Sequence, residues 1–219
     1  MIRNFVALLL ASLFSFHCHA TSVELLGRQI SLVIPSGYCS IIGDPVFAEW
    51  ERRIREIGGN SNVLLELFAN CSDMQDFRAG RQRTLVDYGM ILAQSPGGQV
   101  RAAVGISRAK YIANMMGGKD PTEALQKAMI RASKFVSGYS AESLGMLGAD
   151  GNGAYAGALL TLRDDPNRSI TVLCVAGLTL VKELPVSINL YVPFSTSQGL
   201  PLLLDRQKFA LGRLVRANN

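Results

Sequence analysis

Between positions 186 and 192 the chain alternates without a break. Val186, Ile188, Leu190 and Val192 fall on one side, and Ser187, Asn189 and Tyr191 on the other. A period of two excludes a helix there and fits a strand with one buried face. The neighbouring segments extend the same theme. A long apolar strand is predicted over 169–181, with Leu184-Pro185 in the bend that follows. Upstream, 144–147 and 154–162 flank Asp150-Gly151-Asn152-Gly153, two successive turn dipeptides. Residues 164–168 make another turn. The second half of the chain therefore reads as a meander of hairpins.

The first half mixes both element types. Residues 23–26 and 29–34 flank Gly27-Arg28 as a hairpin, with Ile30, Leu32 and Ile34 on one face. Asp44-Pro45 opens a helix, because aspartate caps and proline suits the first helical position. Its apolar face is Val46, Phe47, Trp50, Ile54 and Ile57, and Gly58-Gly59 ends it. On the outer face Glu49 and Arg53, and Glu51 and Arg55, stand four residues apart as local ion pairs. A strand follows at 63–68, a polar connection at 72–83 and a second strand at 85–92. A short helix is predicted over 106–116, a capped helix over 120–136, and a closing helix over 200–217 whose apolar stripe is interrupted by Gln207. The expected fold is α+β: a mainly antiparallel sheet with helices packed on it, an α/β sandwich forming a single domain over 21–219.

Residues 1–20 have the composition of a secretory signal. Arg3 gives a positive start, 5–16 an apolar core, and Cys18-His19-Ala20 a small-residue cleavage site. Cleavage would leave a chain starting near Thr21 and without histidine, since His17 and His19 are the only two. No Ser-His-Asp triad, Cys-His pair or histidine-bound zinc can then be assembled within the processed chain. An enzyme of this composition would rely on carboxylates, Ser with Lys, Tyr or a cofactor.

Cleavage also removes Cys18 and leaves Cys39, Cys71 and Cys174. An exported chain meets oxidising conditions, and three cysteines allow one bridge. Cys39 and Cys71 are the expected pair: each follows an apolar strand-like run, and parallel strands would bring both to one sheet edge. Cys174 lies within an apolar strand and is expected as a buried small hydrophobe.

Cofactor motifs do not survive inspection. Gly151-Asn152-Gly153-Ala154-Tyr155-Ala156 matches the dinucleotide fingerprint in outline, but a strand follows where a helix is required. A calcium loop from Asp150 would place Tyr155 and Thr161 where glycine and glutamate are needed. Gly117-Gly118-Lys119 lacks the first glycine and the Ser or Thr of a phosphate loop. No cofactor or metal site is expected.

Arg78, Arg81 and Arg83 form the densest basic cluster without helical partners. Guanidinium forks suit phosphate or carboxylate, so this is the candidate anion-binding site, with Asp73 and Asp76 as competing local partners. Nucleic acid is not an expected partner, because the formal net charge is only +5 and the compartment is wrong. An envelope protein or an anionic surface is.

The order of elements adds a resemblance. A hairpin ends in Ile34-Pro35-Ser36-Gly37-Tyr38, then come helices, a meander containing Gly177-Leu178-Thr179, Pro185 and Asn189-Leu190-Tyr191, and a last helix. This resembles small exported PsbP-like α/β-sandwich proteins, which implies an accessory or envelope role and no catalytic motif. The function expected is a non-catalytic binding or accessory domain, periplasmic in a Gram-negative bacterium or secreted. The alternative is an envelope hydrolase working through carboxylates or Ser/Lys.

Overall fold

A computed structural model describes residues 21–82, 84–118, 140–165, 168–196 and 198–219. The expected signal segment, the 120–136 helix, Arg83 and Lys119 lie outside the described residues. Strands β1 (Thr21–Leu25) and β2 (Arg28–Leu32) form a separate hairpin. Seven strands make the main sheet, in the order β3-β4-β5-β9-β8-β7-β6, with every neighbouring pair antiparallel. They are β3 (Tyr38–Ser40), β4 (Asn62–Asn70), β5 (Tyr88–Gln94), β6 (Ser140–Ala149), β7 (Ala154–Asp165), β8 (Arg168–Val181) and β9 (Leu184–Pro193). The helices are α1 (Ala48–Gly58), α2 (Cys71–Arg78), α3 (Arg108–Met116) and α4 (Gly199–Arg216). The α+β class, the antiparallel sheet and the single domain are as expected.

Both faces of the sheet are covered. On one, Val186, Ile188 and Leu190 of β9 meet Leu203, Ala210, Leu211 and Leu214 of α4 and Ile30 and Leu32 of the hairpin. On the other, Met90, Leu92, Cys174 and Tyr191 meet Phe47, Trp50, Ile54 and Met74 from α1, α2 and the turn before α1. The one-face reading of β9 is thus corrected: Ser187 and Tyr191 are buried as well, because β9 is central and helices cover its second side.

Three local readings also change. The β8–β9 turn is Lys182-Glu183, both with positive φ (47° and 64°), and Leu184-Pro185 belongs to β9. Pro185 is tolerated because Leu180↔Pro185 is a non-hydrogen-bonded pair one step from the turn. Its missing N–H would face β5, whose pairing stops at Val186. The first hairpin likewise turns at Leu26-Gly27 (φ 52° and 71°), one residue earlier than expected. The polar connection over 72–83 contains α2 instead, opened by Asn70, whose Oδ1 accepts from Ser72 N at 3.0 Å. Strand β5 starts at Tyr88, three residues later than expected.

Candidate functional site

Asp44 and Asn70 each start a helical turn. Asp44 Oδ1 accepts from Val46 N at 3.0 Å and opens the 3₁₀ turn Pro45–Phe47 that runs into α1. These two caps bring α1 and α2 together over the β4–β5 side of the sheet. Phe47 and Phe77 meet with ring centroids 5.1 Å apart. Between the two helices lies an open cleft of about 320 Å³. Phe47, Trp50, Phe77, Leu85 and Val46 form its apolar lining, with Thr84, Glu49 and Arg53 completing it.

Trp50 is the only tryptophan in the chain. Its ring stands edge-on to Tyr88 at 4.9 Å, and Tyr88 stacks on its cross-strand partner Tyr191 at 4.4 Å. This aromatic row fixes the wall of the cleft and carries it into the core.

The charges at the cleft are committed. Glu49 accepts from both Arg52 and Arg53, and those hydrogen bonds hold its carboxyl down at about 2. It stays ionised near neutrality and is no proton shuttle there. The groups that burial pushes toward their neutral form lie elsewhere. Asp87, raised to about 6 mainly by burial, accepts from Tyr38 Oη at 2.5 Å beside α4. Glu66 is raised by burial inside β4, where Ser40 Oγ donates to it at 2.7 Å. Burial pushes the Cys174 thiol up to about 12. The cleft can therefore bind, but its own residues offer no group poised for acid–base work.

The residues singled out in the sequence separate into three fates. Cys39 and Cys71 are bridged, as expected, but by antiparallel geometry: Cys39 lies in β3 opposite Ala69, and Cys71 begins α2. Of the arginine cluster, Arg83 lies outside the described residues, and Arg78 and Arg81 each have an acidic partner. Arg78 pairs with Asp44 and lies over the Phe47 ring, 5.5 Å from its centroid. Arg81 pairs with Asp76 at 2.5 Å. Cys174 is free and buried.

The rejected motifs have structural explanations. Asp150 Oδ1 accepts from the N–H groups of Asn152 and Gly153 at 2.7 and 3.1 Å, and its Oδ2 from Tyr155 Oη at 2.9 Å. The backbone donors a phosphate would need are thus consumed by the hairpin tip. Lys182 Nζ donates to Gln29 O at 2.7 Å, which gives it a structural partner in the hairpin. Among the described residues no group of three or more His, Cys, Asp or Glu is placed to hold a metal ion, and no helix is long and apolar enough to cross a membrane.

No family model matches the chain, and no curated protein matches it. Two solved structures are similar to it. A point mutant of protein Mog1 is 16% identical, over 90% of this chain and 92% of that one, with a TM-score of 0.34. The Saccharomyces cerevisiae Ran-binding protein Mog1p is 17% identical, over 90% and 91%, also with a TM-score of 0.34. At that TM-score neither likeness bears on this chain's function.

The cleft was not legible beforehand. Phe47 and Trp50 stood in the expected apolar face of a helix, but Phe77 fell in a stretch read as a polar connection. The one available signal was Asn70 as a helix cap with Met74 and Phe77 three residues apart behind it.

Proposed function

We propose that this is an exported, non-catalytic binding domain whose cleft between α1 and α2 takes a small apolar or aromatic group. The observation that carries the reading is the combination in one place of an open cleft lined by Phe47, Trp50 and Phe77 and of charges, Glu49 and Arg53, that are already paired with each other. A volume of about 320 Å³ suits one bulky side chain of a partner or one small aromatic molecule. Export is supported by the composition of residues 1–20 and by a bridge that persists only in oxidising surroundings.

Trp50 supplies the test, because a single tryptophan lines the cleft. Titration with anilinonaphthalene sulfonate should quench its emission saturably. Val46 is 52% exposed, so Val46→Asp charges the cleft wall without disturbing the core. That variant should bind at least about tenfold more weakly. Equal quenching of both proteins would overturn the cleft as the binding site. Mass spectrometry of protein from the host envelope should find an N-terminus near Thr21, and an intact Met1 there would overturn export.

A further inference from the structure

The outer face of α4 presents a second surface, independent of the cleft. The helix buries Leu203, Gln207, Ala210, Leu211, Leu214 and Val215 against the sheet. A helical spacing of four, three, four and three residues then puts Leu202, Arg206, Phe209, Arg213 and Arg216 in one line on the opposite side. Leu202 is 68% and Phe209 62% exposed, the largest exposures on the helix for apolar side chains. Nothing in the core needs them there. The helix carries Arg206, Lys208, Arg213 and Arg216 against the single acid Asp205.

We infer that this crest docks on an anionic phospholipid surface. Two apolar knobs stand about 10 Å apart along a convex ridge, seven residues at the helical rise. A protein partner would need two pockets in matching register. The boundary between head groups and acyl chains accepts both knobs without any. Charge complementarity selects the lipid. Arg216 is exposed at the last turn, within reach of phosphate when Phe209 is seated, and guanidinium groups bind phosphate through paired N–H donors. Arg206 is partly committed, since it also reaches the Tyr38 hydroxyl and lies 3.5 Å from Asp87. Arg216, exposed at the end of α4, therefore leads the contact with the anion.

The test is co-sedimentation of the full chain with vesicles of phosphatidylcholine alone or mixed with phosphatidylglycerol. All proteins compared carry the same residues 1–20, so differences among them read α4. Wild type should sediment with the mixed vesicles, less so as salt rises. Arg216→Glu should weaken this by roughly 30-fold, two charge units at about fivefold each. The double variant Leu202→Ser, Phe209→Ser should weaken it at least about tenfold. Its thermal melt should match wild type, because both side chains lie on the crest. Arg216→Glu or the double variant sedimenting with the mixed vesicles as wild type does would overturn the proposal. So would a concentration-dependent dimer in sedimentation velocity that the same double variant abolishes, since the crest would then serve a second copy of the chain.

Discussion

Asn218 closes the chain onto its own beginning. Its Oδ1 accepts from Ser31 N at 2.8 Å and its Nδ2 donates to Ser31 O at 2.9 Å. Ser31 faces Ser22 as a non-hydrogen-bonded pair, three pairs beyond Leu25↔Arg28 at the turn, so both its backbone groups point away from β1. The carboxamide takes the place of a third strand on that edge. A second bond from Nδ2 to Leu214 O at 2.9 Å ties the clamp to the end of α4.

Asn218→Ala should therefore cost about 2–3 kcal/mol, because Asn218 is 5% exposed and its loss takes a partner from three backbone groups. Asn218→Asp should fall between, keeping the acceptor and losing the donor. Urea unfolding measures both. An alanine variant within 0.5 kcal/mol of wild type, roughly the scatter of a neutral surface change, would show that water replaces the amide freely.

The Cys39–Cys71 bridge should matter to the cleft as well as to stability. It closes a separation of 32 residues, which in the chain-entropy model stabilises by about 3–4 kcal/mol. Cys71 is also the first residue of α2, and α2 carries Phe77 into the cleft wall. Cys39→Ser, Cys71→Ser should lower the guanidinium midpoint and shift Trp50 emission to the red. An unchanged emission with a lowered midpoint would separate the bridge from the cleft.

These tethers explain which parts of the fold could be read from the chain. The hairpins β1–β2, β6–β7 and β7–β8 came from local alternation and turn chemistry, which neighbours a few residues apart decide. Tyr191 did not, because alternation reports one apolar face and is silent on whether helices cover the other. Pro185 misled for a related reason: a proline suits a bend, and only the register of Leu180↔Pro185 shows that a strand can hold it. The cleft depends on Phe47 meeting Phe77 across 30 positions, a tertiary fact with no local trace. The disulfide was legible from the strand-like runs before Cys39 and Cys71, although the parallel arrangement expected to bring them together is antiparallel in the fold.

Asp87 gives the fold a pH dependence of a definite sign. Burial raises it to about 6 from an ordinary 3.8, Asn70 opposing and Asp73 assisting. Between about pH 4 and 6 the folded chain then holds a proton that the unfolded chain has released. This contribution is therefore fully present below about pH 4 and is lost as pH rises through 6. A shift of that size is worth about 3 kcal/mol, and Arg206, 3.5 Å away, favours the carboxylate and reduces it. Asp87→Asn keeps an acceptor for Tyr38 and cannot ionise, so its stability should fall less than wild type's between pH 4.5 and pH 8. Parallel curves of unfolding free energy against pH would remove Asp87 as the source.

Gly177 is required by Gln207 above it. Gln207 Nε2 donates to Ile188 O at 2.8 Å, a carbonyl whose other lone pair faces Gly177 across the ladder. A Cβ at Gly177 would lie 2.5 Å from that Nε2 and 3.2 Å from Leu211 Cδ2. Gln207 is fully buried, and moving its amide away from a new methyl group would break the Nε2 bond to Ile188 O. Gly177→Ala should destabilise by about 1–3 kcal/mol through overpacking. Truncating the obstacle should relieve it: in the Gln207→Ala background the same substitution should cost about 1 kcal/mol less, a coupling expected of residues in contact. Strict additivity of the two changes in a urea-unfolding double-mutant cycle would show that β8 shifts to admit the methyl group and that Gln207 does not constrain this position.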